Sequence, residues 1–254
     1  MSRRFNLKSI KLGFVSMLKD KFKFQLSRRG IFLGRLSDVS EYRVVSDSLV
    51  RKNVDVVLDI GANRGQFGLG LRSAGYFGDI ISYEPDPLTY SKLKTLAEEH
   101  QNWKTLNVAI VDVEIENLVL NVSSNSGYSS SLLEFSKHSK EVYSNLATIK
   151  RIPVKSMSLN NVLKNLESNR VIYIKTDIQG FEKKLFSSLN LKDEPRIVAV
   201  MIEVSLIEIY KSEWNVMESL QYFQENQFKL IGVTPEDYNN KFGHPQLNLY
   251  FERF

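Results

Sequence analysis

The chain has no cysteine, only three histidines (His100, His138, His244), and no apolar run approaching a membrane span, which needs roughly 18 to 20 such residues. Without cysteine there is no disulfide framework, no thiolate nucleophile and no cysteine-held zinc or iron–sulfur centre. The histidines are too scattered to suggest a metal site. A cysteine-free chain accords with a reducing, cytoplasmic setting. No internal repeat occurs, and no low-complexity tract beyond the serines of 123–131. What remains, 254 residues that are 43% hydrophobic and 25% charged, suffices for one large soluble domain or two small ones.

Charge is unevenly spread. Residues 1–52 hold 13 Lys and Arg against Asp20, Asp38, Glu41 and Asp47, a balance of +9. The other 202 residues hold 21 basic and 25 acidic side chains, a balance of −4. A uniformly basic nucleic-acid surface is therefore excluded, and no nucleic-acid partner is expected. Within the first segment, Leu7, Ile10, Phe14, Met17 and Leu18 recur at helical spacing, with Lys8, Lys11 and Lys19 mostly off that stripe. Two readings follow: a helix packed on the next domain or on a second copy, or a basic amphipathic helix on an anionic membrane. Lys8 and Lys11 break the apolar stretch, which argues against a secretory signal.

From residue 54 short apolar runs alternate with amphipathic stretches. Strands are expected at 54–60, 79–84, 103–110, 117–123, 151–157, 171–177, 196–204, 228–233 and 247–253. Helices are expected through Arg72, over 88–99, from a Ser158 cap to Leu166, over 181–188 and over 214–226, with a weak one in 135–149. Such alternation makes an α/β domain, helices covering both faces of a mostly parallel sheet. The expected organisation is a basic helical extension over 1–53 and one domain over 54–254.

Two features point to a ligand site. Asp59-Ile60-Gly61-Ala62-Asn63-Arg64-Gly65 turns from a strand into a helix. Glycines there let the backbone approach a ligand, and the helix start offers N–H groups. Glu84 ends the next strand, about twenty residues on, where a carboxylate can accept both hydroxyls of a ribose. A nucleoside-containing ligand follows from the pair. The NAD fingerprint asks for glycine where Asn63 stands, and Asp59 is an unwelcome charge beside a pyrophosphate. The same acid suits a ligand carrying an ammonium, which favours S-adenosylmethionine.

At these residues the sequence resembles the FkbM family of class I S-adenosylmethionine-dependent methyltransferases. The resemblance covers roughly 54–253. It rests on VLDIGANRGQF (57–67), SYEPDPLTYSKLK (82–94), LNVAIVD (106–112), SGYSSSL (126–132), IYIKTDIQGFEKKLF (172–186) and VMIEVS (200–205). Most specific is the stretch with Lys175, Asp177, Gly180 and Glu182, followed by a strand bearing Glu203. Gln179 and Thr176 depart from the family, which more often has Glu and an apolar residue there. The resemblance implies a Rossmann-like, seven-stranded, mostly parallel sheet whose last strand runs antiparallel. It also implies that Asn107 and Asp112 meet the adenine edge, beside Asp59, Gly61, Asn63, Gly65 and Glu84 as cofactor-binding residues.

The expected reaction is methyl transfer to a hydroxyl of a sugar, glycan or natural product. A hydroxyl is a poor nucleophile at neutral pH, so a base is wanted. Asp177 is the first choice for base or acceptor anchor, the alternative being that it holds the donor's ammonium or a helix start. Glu203 is the other candidate base. A divalent metal shared by the two carboxylates is the lesser reading, since no third ligand is evident. Lys175 shares a strand face with Asp177 and either pairs with it, steers an anionic acceptor or reaches solvent. Tyr128, Ser129 and Ser130 are expected to recognise the acceptor, against the plainer reading of a flexible polar loop. His138 and His244 read as surface residues. The competing functions are a nucleotide- or NAD-binding oxidoreductase and a catalytically silent methyltransferase-like subunit.

Overall fold

The computed structural model describes residues 36–254 except 126, 237, 238 and 240. The apolar stripe of residues 5–24 lies outside the described residues. In chain order the elements are helix α1 (Leu36–Arg51), β1 (Val56–Ile60), α2 (Gln66–Ser73), β2 (Asp79–Tyr83), α3 (Pro87–Ala97), β3 (Trp103–Leu106), β4 (Ala109–Val111) and β5 (Leu118–Ser123). Then come α4 (Ser139–Val142), β6 (Thr148–Val154), β7 (Ser156–Ser158), α5 (Leu159–Lys164), β8 (Ile172–Thr176), α6 (Glu182–Ser187), β9 (Ile197–Ser205), α7 (Val216–Glu225), β10 (Phe228–Pro235) and β11 (Gln246–Arg253).

Seven strands form one sheet in the order β10-β11-β9-β8-β1-β2-β3. The five from β9 to β3 pair in parallel, while β11 runs antiparallel to both β9 and β10. This is the sheet the resemblance implies, with the last strand inserted between β9 and β10. Alternation along the strands sorts side chains onto two faces. Val56, Leu58, Ile60, Ile172, Ile174, Val200 and Ile202 pack with Leu159 and Val162 of α5, Leu185 and Phe186 of α6, and Phe223 of α7. Val57, Ile80, Tyr173, Ala199 and Met201 face the other way, onto Phe67 and Leu71 of α2 and Leu93 and Ala97 of α3. Val45 and Leu49 of α1 join that second cluster, so α1, which precedes the expected domain start at 54, contributes to its core. Arg51 donates to Glu252, and Lys52 Nζ donates to the Arg253 carbonyl at 2.7 Å, tying α1 to β11.

Caps explain several boundaries. Asp86 accepts from the Leu88 N–H with Pro87 in the first turn of α3, Ser158 caps α5, and Asn215 and Glu218 form a capping box on α7. Three expectations are corrected. The run 151–157 divides at Lys155, whose carbonyl accepts from the Ala109 N–H at 2.9 Å, into β6 and β7 in different sheets. The run 103–110 is two strands in different sheets, because it breaks at Asn107, whose Nδ2 donates to the carbonyls of Glu84 (2.8 Å) and Pro85 (3.0 Å). Of residues 135–149 only Ser139–Val142 are helical, a single turn (α4), and β6 already begins at Thr148; Phe135, Tyr143 and Leu146 pack around Ile209 and Tyr210 instead of forming a helical stripe.

Candidate active site

From β1 the chain returns on one side as β2 while β8 lies on the other, so strand order reverses at the end of β1, where ligands bind in such sheets. The turn there is built by backbone. Gly61 has φ +75°, and an added Cβ would sit 1.9 Å from the Asp177 carbonyl oxygen. Gly61 and Ala62 both donate to the Tyr83 carbonyl, at 3.0 Å each, and Asp177 donates to the Ile60 carbonyl at 3.1 Å. Asn63, at φ 50°, takes a left-handed conformation that asparagine tolerates. The turn thus holds the ends of β1, β2 and β8 together.

Beyond these ends lies a narrow, partly open cleft of about 60 Å³. Tyr83, Val108, Ala109, Ile110, Leu120 and Leu132 give it apolar walls, and Glu84 is its buried acid. Glu84 Oε2 accepts from the Asn63 N–H at 2.9 Å and Oε1 from the Asp86 N–H at 2.8 Å. These bonds orient the carboxylate and leave each oxygen a second lone pair. Burial outweighs them and pushes the Glu84 carboxyl up to about 8. Neither Asn107 nor Asp112 lines this cleft. Asn107 fastens the ends of β2 and β3, as above, and Asp112 faces Lys184 at 3.7 Å. The lining from that segment is the backbone and apolar side chains of 108–110.

Asp59 is also placed differently from expectation. It is fully buried, and in strand register it lies between Ser82 and Lys175. Ser82 Oγ donates to Asp59 Oδ2 at 2.9 Å and receives Trp103 Nε1–H at 3.0 Å. Lys175 Nζ lies 3.3 Å from Asp59 Oδ1, 3.8 Å from Asp177 Oδ2, and donates to the Gly61 carbonyl at 2.8 Å. The cation that Asp59 faces is therefore the chain's own. Burial pulls the Lys175 ammonium down, but Asp59 and then Asp177 more than offset it, and its pKa is raised. Lys175 is buried, not a solvent-reaching lysine.

A second, larger cleft of about 440 Å³ opens beside the first and shares Gly61, Asn63, Tyr128, Asp177 and Gln179 with it. Asp177 and Glu203 both line it. Gln179, a departure from the family pattern, joins them: its Nε2 donates to Asp177 Oδ1 at 2.7 Å and to Glu203 Oε2 at 2.8 Å. Burial, and then the Asp177 charge, hold the Glu203 carboxyl well above the usual carboxylate range. Glu182 stands behind the site. It is buried, accepts from the Ile178 N–H at 2.7 Å, and burial raises its carboxyl to about 8.

The serine-rich loop roofs both clefts and is fastened by its own hydroxyls. Ser129 Oγ accepts from Asn125 Nδ2 at 2.8 Å, Ser130 Oγ accepts from the Ser123 N–H at 3.2 Å, and Ser131 Oγ donates to the Gln179 carbonyl at 2.6 Å. Tyr128, about half exposed, stacks under the Arg64 guanidinium, 5.1 Å from its ring centre. Trp103 and Trp214 are core residues. His138 pairs with Glu141 and His244 with the Glu236 carbonyl; neither lines these clefts.

The raised carboxyls have a consequence for stability. Glu84 and Glu182 at about 8, with Glu213 raised by burial to about 7, hold a proton more tightly folded than unfolded. Their contribution is complete below the ordinary carboxyl pKa near 4.3 and is lost as pH rises through the folded values. The unfolding free energy of the ligand-free protein, from urea denaturation, should fall between pH 5 and pH 8 by at most about 1.4 kcal/mol per pH unit for each group, and the midpoint with it. A midpoint that rises over that interval contradicts the burial of these acids.

The family model described as the methyltransferase FkbM domain matches residues 59–230. No curated protein matches the chain. Among solved structures, an FkbM methyltransferase from Methylobacillus flagellatus KT is 13% identical, with 92% of this chain and 60% of that one covered and a TM-score of 0.48. A 1,6-didemethyltoxoflavin-N1-methyltransferase from Burkholderia thailandensis is 11% identical, with coverage of 96% and 87% and a TM-score of 0.47. Magnesium protoporphyrin IX methyltransferase from Synechocystis PCC 6803 is 11% identical over 100% of both chains, with a TM-score of 0.46. The family match spans about two thirds of the sequence, and the chain belongs to the FkbM methyltransferase family.

Proposed function

We propose that the protein is an S-adenosylmethionine-dependent O-methyltransferase acting on a hydroxyl of a sugar, glycan or natural product. The observation that carries this reading is the pair of joined clefts. One has apolar walls and the buried, hydrogen-bonded carboxyl of Glu84; the other is polar and bears Glu203; Gly61 and Asp177 line both. The first suits a nucleoside: apolar walls for a purine, and Glu84 oxygens with lone pairs to spare for ribose hydroxyls. When bound, S-adenosylmethionine supplies a methyl already activated by its sulfonium. The chain's task is then to align an acceptor oxygen and take its proton. In this reading Asp177, which lines both clefts, receives that proton, and Glu203 anchors the acceptor. Membership of the FkbM family speaks for this reading over the oxidoreductase alternative.

The test is transfer of isotope-labelled methyl from S-adenosylmethionine to a panel of neutral sugars, glycans and macrocyclic alcohols, with products read by mass and NMR. A new O-methyl group is expected, and Asp177→Asn should lower turnover by about 10²-fold or more. Label found only on nitrogen, or no transfer by a folded protein that binds S-adenosylhomocysteine, would overturn the assignment.

A second proposal concerns residues 1–35, which hold ten Lys and Arg against one acid, Asp20. We propose that this excess brings the protein to anionic lipid surfaces, suiting a lipid-linked acceptor. Co-sedimentation should be stronger with vesicles containing phosphatidylserine than with phosphatidylcholine alone; equal binding would contradict it. Among the described residues no helix is long and apolar enough to cross a membrane.

A further inference from the structure

Two carboxylates that share one small donor raise the question of what keeps them together. Asp177 and Glu203 come from different elements, the end of β8 and the interior of β9. Two acids so close ordinarily take up a shared proton or a bound cation. Here the atom at the bridging point is the amide nitrogen of Gln179, within 2.8 Å of an oxygen of each. The orientation of that amide is decided by its other end. Tyr210 Oη donates to Gln179 Oε1 at 2.7 Å, with the Ser129 carbonyl 3.0 Å from the same hydroxyl. An acceptor oxygen facing the phenol leaves the two amide hydrogens facing the two acids.

The scaffold around Gln179 is equally constrained. Its backbone takes φ 57°, a left-handed conformation that side chains rarely adopt. Its carbonyl receives Ser131 Oγ–H at 2.6 Å. The next residue, Gly180, has φ +91°, and a Cβ added there would come within 2.8 Å of Tyr210 Cβ. Tyr210 is itself completely buried. Backbone, serine loop and buried tyrosine thus aim one side-chain amide at one point. Among the described residues no three His, Cys, Asp or Glu side chains group as cation ligands, and the cation next to this pair, Lys175, is bonded to the Gly61 carbonyl and beside Asp59.

We propose that Gln179 sets the metal preference of the acceptor cleft: its amide fills the point between Asp177 and Glu203 that a divalent cation would take, so the two carboxylates meet an acceptor without a metal. The proposal rests on the reading of this cleft as the acceptor side. It implies that one substitution, Gln179→Glu, replaces a donor with a third carboxylate and makes an oxygen-ligand site for a hard cation.

The experiment is calorimetric titration of the full chain with MnCl2, for the wild type, Gln179→Glu, and Gln179→Glu combined with Glu203→Gln. The wild type should bind Mn2+ only weakly, Gln179→Glu at least tenfold more tightly, and the double variant should lose the gain. Gln179→Ala, which empties the bridging point without adding charge, should bind several-fold more tightly than the wild type, and it carries the test if Gln179→Glu does not fold. Equal Mn2+ affinity in the wild type and the folded variants, or a gain that survives Glu203→Gln, would overturn the proposal. S-adenosylhomocysteine is titrated into each protein in parallel. Its failure to bind the folded wild type would count against the methyltransferase reading, whereas binding that persists in all variants while Mn2+ affinity stays flat counts against the role of Gln179 alone.

Discussion

Gly61→Ala is expected to lower stability by about 3 kcal/mol, summing the cost of overpacking and of a left-handed non-glycine backbone, and to weaken S-adenosylhomocysteine binding more than tenfold. The added methyl would meet the Asp177 carbonyl at 1.9 Å, a backbone atom that cannot swing aside. Relief requires the ends of β1 and β8 to separate, and the two clefts meet at that seam. Gly75 provides the control. It has φ +91° with nothing within 4 Å of an added Cβ, so Gly75→Ala should show only the backbone cost of about 1 kcal/mol and leave binding intact. Urea denaturation and calorimetry of both variants check this. Equal losses for the two would mean that the close approach of Gly61 to Asp177 plays no part.

Lys175→Met is expected to destabilise by about 3 to 5 kcal/mol, the range for leaving a buried charge without its partner. Asp59 would keep Ser82 as a donor but lose the ammonium 3.3 Å from its other oxygen, at a position with no exposure to solvent. Adding Asp59→Asn to that background should restore most of the loss, because a neutral amide needs no counter-charge there. A loss below about 1 kcal/mol for Lys175→Met, measured by urea denaturation at pH 7, would show that water compensates Asp59 and that the pair is not a structural unit.

The fold was legible because its signals are local. The runs VVLDI and IYIKT are buried on both faces, so they stand out as continuous apolar strands. The turn residues Gly61, Asn63 and Gly65 all take positive φ, the reason those residue types occur there. Glu84 was legible for the same reason, as an acid closing a strand. What the sequence concealed depends on contacts between distant segments. Asp59 and Lys175 lie 116 positions apart, yet each interrupts an apolar strand with a charge, and their direct register pairs them. That shared interruption was the available signal. Asn107 reads as a polar residue in a strand and acts as a clasp, because its target carbonyls lie past the end of a neighbouring strand. Gln179 gave no periodic or compositional sign; its role rests on Glu203 and Tyr210, both more than twenty residues away.

The cleft beside Glu84 is the proposed seat of the adenosyl cofactor. Calorimetric titration with S-adenosylhomocysteine, with NAD in parallel, tests it most directly. The prediction is micromolar binding of S-adenosylhomocysteine, none of NAD, and a loss of about 1 to 3 kcal/mol of binding free energy in Glu84→Ala, the scale for removing two hydrogen bonds. A folded protein that ignores S-adenosylhomocysteine, or binds it equally well without the Glu84 carboxylate, would contradict the assignment.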